Sequence, residues 1–590
     1  MESGKPAESR ASDVLSRYKS LHYGLPETNL AWRMHEAGVE NFGKTGADEI
    51  PLRRPNRDEV LVRVDAIGVC FSDVKLITQG SSHPRITGRD LSKEPVVAGH
   101  EVSLTVVEAG EDYKDKYMPG DRFIVQADVY FKGVNLAYGY ALEGGMQQYG
   151  VVGEPVLAGD EGSYLIPVKP ETGYAEAALV EPWTCVVAAY RIHPRKALKP
   201  GGVALFVGTG GGAYQLDGSI CKDGPPGKLI LAGVEDALTA AACDCPDCTA
   251  ELLELGMLEP EHVKSLADER TGGRGFDDVI VLGKPNPELV EALGASLAKN
   301  GVMAVLADCP ISRPVKIDVG RVHYDYIDFI GTDTRKIADA YAKSRASELT
   351  PGGTAWFVGG AGAMGQMHVQ RAAKMKNGPR KMLVTDVDNL RLDHLRTSVG
   401  AKDSDHGVEI VFMNPVEAGQ EAVDKAIADL TGGKGFDDIV MLVPVPALIE
   451  SSLPYLAEGG LMNIFAGVPR GTIATMDLSA TYLKGNRFVG SSGSRPRDMV
   501  DTLALAESGE LPVVNSLAAI GGIDAMADGV RAAKEARFPG KTVIFPHIRL
   551  PLTALTGLDK VLPSVHAKLK DGKFWTQEAE EELLRSKLEW

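Results

Sequence analysis

The sequence predicts an α/β protein in which a β-rich domain is followed by two tandem doubly wound parallel sheets. Short Val-rich runs separated by Gly, Pro and Asp turns fill residues 95–170, as in a small all-β domain. TGGRGFDDVIVL at 271–282 returns as TGGKGFDDIVML at 431–442, which indicates an internal repeat. With 590 residues, the chain is long enough to bury several cores.

The β-rich domain is predicted to be split along the chain. After an irregular start at 1–50, DEVLVRVDAIGVC (58–70) alternates apolar and polar residues like a half-buried strand. Helical spacing first appears in YAEAALVEPWTCVVAAYR, so we assign 1–190 to the first part of this domain. A strand, a helix and the closing strand GKTVIFPHI at 509–550 supply its second part, and 551–590 form a C-terminal extension.

The repeat defines two units between these parts, the first copy (191–345) and the second copy (346–508). Two further ordered matches exclude chance: KPGGVALFVGTGGGAYQ with TPGGTAWFVGGAGAMGQ, and NGVMAVLADCP with GGLMNIFAGVP. Each copy alternates apolar strands and helices around a Gly-rich turn, which is typical of a Rossmann-type parallel sheet.

The second copy carries the stronger nucleotide signal. Gly360, Gly362 and Gly365, with Ala363 and Met364 between them, form GxGxxG directly after an apolar strand. Asp386 ends the next strand, where a carboxylate accepts hydrogen bonds from ribose hydroxyls and repels a 2′-phosphate, which favours NAD over NADP. The alternative is a tight structural turn in a nucleotide-free domain.

The first copy departs from this pattern. Aligning the repeats places Thr209, Gly211 and Tyr214 on the glycine positions and Gly233 opposite Asp386. Gly208, Gly210, Gly211 and Gly212 leave open a shifted glycine loop. The tyrosine at the helix-packing position and the missing ribose acid nevertheless favour a structural or oligomerisation role over dinucleotide binding.

Four residues of the β-rich domain combine the ligand types of a catalytic zinc: Cys70 in GVCFSD, His100 and Glu101 in GHE, and Glu181 in EPWTC. Such a metal polarises a substrate oxygen. Alone, a buried cysteine is usually a small hydrophobe and a lone histidine a structural residue. Their joint occurrence upstream of Rossmann-type units favours a metal site.

These motifs, with Gly120–Asp121 and Gly144–Gly145, resemble those of the medium-chain zinc-dependent alcohol and polyol dehydrogenase family. The resemblance covers roughly 55–550, interrupted by one extra Rossmann copy. AYGYALEGG, NIFAGVP and VGSSG point to the sorbitol and threonine dehydrogenase branch and its L-sorbose 1-phosphate reductase-like members. The resemblance implies a GroES-like catalytic domain and one zinc ion. It also implies hydride transfer between NAD(H) and a secondary alcohol or ketone of a polyol, sugar or sugar phosphate.

The resemblance also implies residue roles. Cys70, His100 and Glu181 would bind zinc with Glu101 as an exchanging ligand, Ser72 would begin a proton relay, and Asp73 would orient a ligand histidine. The active site is expected in the cleft between the catalytic domain and the second copy. Lys132 is the candidate for a substrate phosphate.

The cysteines limit the other metal sites. None lies between Cys70 and Cys185, so we expect no structural zinc of the four-cysteine kind. Cys243, Cys245 and Cys248 either bind a second metal with His262 or a carboxylate, or form a loop of reduced thiols.

Composition narrows the partners to a small-molecule alcohol or ketone. A net charge of −17 argues against nucleic acid and anionic membrane surfaces. A polar beginning, no run of 18 apolar residues and only seven cysteines predict a cytoplasmic protein, and the resemblance implies a dimer or tetramer. Two alternatives stay open: a lyase or isomerase with tightly bound NAD, and a non-catalytic nucleotide-responsive protein.

Overall fold

The computed structural model describes residues 7–235, 238, 251–307, 309–400 and 407–589. The chain divides into two compact units: Met1–Val187 with Gly362–Arg371 and Gly493–Trp590, and Ala188–Ala361 with Ala372–Ser492. Among the described residues, no helix has the length and apolarity needed to cross a membrane. The helices are Ala7–Ser20, Phe71–Gln79, Glu154–Leu157, Tyr174–Ala189, Pro260–Thr271, Pro287–Ala295, Val319–Tyr324, Ile337–Ala342, Ala363–Lys374, Asn389–Val399, Pro415–Ala418, Gln420–Thr431, Pro446–Ser452, Ser479–Leu483, Pro496–Glu507, Met526–Lys534, Leu558–Val561, Pro563–His566 and Gln577–Lys587.

An eight-stranded sheet forms the centre of the first unit. Its neighbours pair antiparallel, except that Leu517–Gly522 and Lys541–Phe545 are parallel. The strands run in the order Leu165–Pro167, Arg122–Val125, Glu101–Ala109, Val60–Val69, Lys541–Phe545, Leu517–Gly522 and Thr553–Ala554, with Tyr149–Val152 also pairing Val60–Val69. The first unit also contains three separate two-stranded sheets: Thr28–Ala31 with Asp48–Pro51, Arg33–Met34 with Val96–Val97, and Tyr130–Phe131 with Val134–Asn135.

The strand Val60–Val69 is buried along its whole length, so the predicted half-buried strand is wrong. Its polar residues pair inside the core: Arg63 Nε donates to Asp65 Oδ1 at 2.7 Å, and the guanidinium lies 3.5 Å from the centre of the Tyr18 ring. Tyr18 belongs to the helix Ala7–Ser20, in the segment expected to be irregular. Both faces of this strand are therefore buried, although its sequence alternates apolar and polar residues. One of the two faces carries an ion pair inside the core.

The second unit contains one continuous sheet of twelve strands. From edge to edge they are Glu251–Leu255, Lys228–Ala232, Val203–Gly208, Phe276–Gly283, Leu297–Ala307, Asp328–Gly331, Arg487–Val489, Leu456–Ile464, Phe436–Met441, Thr354–Val358, Lys381–Thr385 and Glu409–Met413. Each copy contributes six parallel strands with the spatial order of a doubly wound sheet. The copies meet where Asp328–Gly331 and Arg487–Val489 pair antiparallel, which joins the two predicted sheets into one.

The two copies also repeat a charge pair in which the aspartate is buried and the arginine is partly exposed. Arg195 Nη1 donates to Asp278 Oδ2 at 2.8 Å, and Arg345 Nη2 donates to Asp438 Oδ1 at 2.6 Å. In each copy the aspartate follows the same irregularity in strand register, after Phe276 or Phe436. The repeat found in the sequence is therefore also a repeat of side-chain structure.

The C-terminal extension caps a helix of the first unit. Glu580, buried in the helix Gln577–Lys587, accepts hydrogen bonds from the backbone N–H groups of Tyr174 (2.6 Å) and Ala175 (2.8 Å). These groups open the helix Tyr174–Ala189, and a carboxylate at a helix N-terminus is stabilising. The extension thus anchors the helix that carries Glu181.

Candidate metal and nucleotide sites

Three neighbouring strands bring the candidate metal residues to one end of the first unit's sheet. Gly68 pairs with Glu101 and Val69 pairs with Thr542, so the end of Val60–Val69 lies beside the beginnings of the other two strands. Cys70, Glu101 and Lys541 consequently lie together although 440 residues separate Glu101 from Lys541. Strand register, rather than any local motif, builds this end of the site.

The structure groups Cys70, His100 and Glu101, whose ligand atoms all lie within 4.8 Å of one another. Ser72 Oγ lies 2.9 Å from Cys70 Sγ and 3.2 Å from His100 Nε2. The residue expected to begin a proton relay is therefore in contact with two of the three candidate ligands.

Asp73 contacts two residues of this group, His100 and Cys70. Its Oδ1 lies 3.1 Å from His100 Nδ1, and its Oδ2 accepts a hydrogen bond from the Cys70 backbone N–H at 2.9 Å. The carboxylate is fully buried. It orients the imidazole so that Nε2 faces Cys70 and Ser72.

Lys541 is a site residue that the sequence analysis missed. Its Nζ lies 2.5 Å from Glu101 Oε1, with both side chains buried. Burial alone would lower the pKa of Lys541, but the facing Glu101 carboxylate raises that pKa above its ordinary value, so the lysine stays protonated. The signal available in the sequence was a lysine opening the apolar closing strand KTVIF.

Glu181 is buried near this group but lies outside the trio of mutually close ligand atoms. Burial, with a contribution from Glu101, raises the pKa of Glu181 to about 7, although His100 acts in the opposite direction. One helical turn later, Cys185 donates its thiol hydrogen to Glu181 Oε1 at 3.9 Å. Burial and Glu181 raise the pKa of that thiol well above its usual range.

The donor set fits a zinc ion. Thiolate, imidazole and carboxylate are zinc ligands, and Glu101 Oε2 is buried without a hydrogen-bond partner in the described part of the chain. An unpaired buried carboxylate oxygen is costly unless a cation or donor reaches it. A metal beside Cys70 and His100 would satisfy this oxygen.

Zinc affinity should rise with pH across neutrality. Burial lowers the pKa of His100, but Asp73 outweighs it and holds that pKa well above its ordinary value, so zinc must displace a proton from the imidazole. We expect an increase of about tenfold per pH unit for each proton displaced, measured by chelator competition between about pH 6 and 8. Asp73→Asn should flatten the dependence, and a flat wild-type profile would contradict the prediction.

A cationic and aromatic cluster adjoins His100. The rings of His100 and Tyr140 lie 5.8 Å apart, and Arg85 Cζ lies 4.8 Å from the centre of the Tyr140 ring. Arg85 also donates to Asp128 Oδ1 at 2.7 Å. Lys132, the candidate for a substrate phosphate, instead places its Nζ over the Phe131 ring at 4.6 Å.

In the second copy, the glycine turn and Asp386 are joined. Gly360 follows the strand Thr354–Val358, and a Cβ built on it would lie 2.7 Å from Val384 Cγ1, so the position needs glycine. The Asp386 carboxylate accepts hydrogen bonds from the backbone N–H groups of Ala361 and Asp388, each at 3.1 Å. The predicted acid therefore lies at the turn that leads through Gly362 to the helix Ala363–Lys374.

In the first copy, the corresponding connection lacks a phosphate-binding helix. Residues 209–227 contain only the short 3-10 turn Gly218–Cys221. The carboxyl ends of Val203–Gly208 and Lys228–Ala232 border a cavity lined largely by glycines. No helix N-terminus in 209–227 faces this cavity to hold phosphates.

The three neighbouring cysteines considered for a second metal lie outside the described residues. Cys243, Cys245 and Cys248 fall in 239–250, while His262 lies in the helix Pro260–Thr271. Their possible metal site stays a prediction.

The fold and the donor set define a class, an oxidoreductase that combines a zinc-binding β-rich domain with a Rossmann-type nucleotide-binding sheet. The alcohol dehydrogenase GroES-like domain family matches residues 56–166, and the zinc-binding dehydrogenase family matches 363–508. The second match falls on the second copy, where the GxGxxG turn lies. These two matches support an NAD(P)-dependent zinc oxidoreductase acting on alcohols, of the medium-chain alcohol and polyol dehydrogenase kind.

Individual relatives agree with this family. Mannitol-1-phosphate 5-dehydrogenase of Aliivibrio fischeri is 27% identical over 56% of this chain and 84% of its own length. L-sorbose 1-phosphate reductase of Klebsiella pneumoniae is 27% identical over 56% of this chain and 82% of its own length. The solved alcohol dehydrogenase of Thermotoga maritima has a TM-score of 0.50 and 14% identity, covering 89% of this chain and all of that one, which supports the fold.

Proposed function

We propose that this enzyme transfers a hydride between NAD(H) and a secondary alcohol or ketone of a polyol, sugar or sugar phosphate. The observation that carries the proposal is the trio Cys70, His100 and Glu101 with its unpaired Glu101 Oε2. Two relatives named for sugar-phosphate substrates support the substrate class. Arg85, which adjoins Tyr140, and its partner Asp128 offer donors and an acceptor for the hydroxyl or phosphate groups of such a substrate.

In this proposal Cys70, His100 and Glu181 would hold one zinc ion, with Glu101 as the exchanging ligand. When bound, it polarises the substrate oxygen. Ser72 takes the proton from the substrate hydroxyl at its Oγ and passes it on, and Asp73 fixes the His100 imidazole. Lys541 binds Glu101 Oε1, so Oε2 would be the carboxylate oxygen available to the metal.

We assign the nucleotide to the second copy, with contacts from Gly360, Gly362, Ala363, Met364, Gly365 and Asp386. The proposed division is a catalytic domain of 1–190 and 509–550, a first Rossmann copy at 191–345 that binds no dinucleotide, an NAD-binding copy at 346–508 and an extension at 551–590. The lack of a helix in 209–227 supports this choice between the copies. A cytoplasmic location and a homo-oligomer stay predictions.

The test is NADH formation by purified, zinc-loaded protein with sorbitol, mannitol 1-phosphate and isopropanol. We expect kcat/KM for a polyol or its phosphate to exceed that for isopropanol by at least about tenfold, because each added polar contact contributes about 1 kcal/mol. Activity on none of these substrates, with NAD retained after purification, would favour the isomerase alternative.

The cofactor preference should change at Asp386. Asp386→Ala is expected to weaken NAD binding by about tenfold or more, because a carboxylate hydrogen bond to ribose contributes about 1.5–3 kcal/mol. Asp386→Asn keeps an acceptor for the Ala361 N–H but removes the charge, so it should improve the use of NADP relative to NAD. Calorimetry with both nucleotides checks this, and an unchanged NAD affinity in both variants would move the cofactor away from the second copy.

A further inference from the structure

We propose that the first Rossmann copy serves as a built-in partner subunit for the second. The two copies form an internal pair related by a pseudo-twofold axis, and this pair fills within one chain the sheet edge that two identical chains would otherwise share. We call the contact the seam: Val315–Asp318 and Asp328–Gly331 of the first copy, against Ile473–Met476 and Arg487–Val489 of the second. The inference does not depend on the reaction proposed above.

The first point of the axis lies between the strands Val315–Asp318 and Ile473–Met476. The repeat alignment of NGVMAVLADCP with GGLMNIFAGVP has an offset of 159 residues, which makes Lys316 the equivalent of Thr475. These two residues pair directly across the antiparallel strands. Their neighbours pair reciprocally: Val315 with Met476, and Ile317 with Ala474. Equivalent residues that pair with each other mark a twofold axis.

A second point lies in the large sheet. Phe329 and Phe488 are equivalent at the same offset, and they are the residues that pair where the copies join. Two independent strand contacts therefore define the same relation between the copies.

The helices beside the seam repeat this reciprocity. A Cβ built on Gly331 would lie 2.8 Å from Tyr482 Cβ, and a Cβ built on Gly490 would lie 2.9 Å from His323 Cα. Gly331 is the equivalent of Gly490, and His323 is the equivalent of Tyr482. Each copy thus packs a helix onto a glycine of the other, as in an interface between identical subunits.

The charges at the seam fit a pair within one chain better than a pair of identical copies. Asp328 and Arg487 occupy equivalent positions, and Arg487 Nε lies 3.2 Å from Asp328 Oδ1, with both side chains largely buried. Two identical copies would bring like charges, Asp with Asp or Arg with Arg, to the same place, which is repulsive. At this position the two copies carry opposite charges that attract each other, whereas two identical copies would carry like charges that repel each other.

This arrangement explains why a copy without a phosphate-binding helix is retained. The first copy supplies the partner surface, while the second keeps the GxGxxG turn and Asp386. Each chain then contains a pair of Rossmann units with one nucleotide site.

Cysteines at the axis test the proposal, because Lys316 and Thr475 are both exposed. Residues directly opposite on antiparallel strands have Cα atoms about 4.5–5.5 Å apart, within the range for a disulfide. After mild oxidation, the double variant Lys316→Cys/Thr475→Cys should form one new disulfide within a single chain, read by mass spectrometry and non-reducing electrophoresis. The wild type, which has the exposed Cys309, is the background control.

The single variants make the test specific. At a twofold interface between two chains, position 316 would face position 316, so Lys316→Cys alone would give covalent dimers, as would Thr475→Cys. We expect neither to exceed the wild type. Covalent dimers from a single variant, covalent dimers from the double variant, or no new disulfide in the double variant would each overturn the proposal.

Discussion

Cys70→Ala is expected to lose both the bound zinc and the catalytic activity. The thiol lies with His100 and Glu101 in the trio of close ligand atoms, and its loss leaves two of the three donors. A metal contributes several kcal/mol to the transition state, and each 1.36 kcal/mol is about tenfold in rate. The turnover number should therefore fall by about a thousandfold or more, measured beside zinc content by elemental analysis.

Cys185→Ala is the matched control. Like Cys70, Cys185 is a half-buried thiol, and it lies beside Glu181 but outside the trio. Cys185→Ala should keep about one zinc per chain, and its denaturation midpoint indicates how much the loss of a half-buried thiol affects folding alone. If Cys70→Ala retained zinc and turnover, the site described here would not be the catalytic centre.

Arg487→Asp should produce the largest loss of stability among the predictions made for this chain. Only 3% of the Arg487 side chain is exposed, and it faces Asp328 across the seam. Removing one partner of a buried ion pair leaves an uncompensated charge, which costs about 3–5 kcal/mol. Urea denaturation should show a lower midpoint for the transition that includes the twelve-stranded sheet.

The exchange variant Asp328→Arg/Arg487→Asp should recover a large part of this loss, because it restores opposite charges. Arg313→Asp is the control at an exposed pair with Glu288 and Glu291, and it should change the midpoint little. If Arg487→Asp unfolds like the Arg313 control, the ion pair does not hold the copies together.

Much of the fold could be predicted because its signals are local or repeated. Residue types and spacing alone are enough to recognise three such features: the GxGxxG turn, Asp386 and the repeated TGGxGFDD segments. The joining of the two sheets could not be predicted, since it depends on Phe329 meeting Phe488, and nothing local specifies which strand edges pair.

Some residues of the candidate site could likewise be predicted from the sequence, and others could not. Cys70, His100 and Glu101 lie in short motifs whose residue types indicate a metal, and the structure brings them together. Lys541 lies 440 residues beyond Glu101 and becomes a neighbour only through strand register. Arg85 could not be predicted because it reaches His100 only through the Tyr140 ring, and no sequence spacing specifies that contact.

The cap supplied by Glu580 affects the order in which the site can form during translation. At about 5–20 residues per second, Glu580 leaves the ribosome roughly 20–80 s after Glu181. Until then, the first turn of the helix Tyr174–Ala189 has no carboxylate on its N–H groups. Lys541, the ion-pair partner of Glu101, is also synthesised long after Glu101. The metal-binding end of the protein is therefore completed after most of the Rossmann sheet has been synthesised, and a nascent chain stalled before residue 580 would carry an uncapped Glu181 helix.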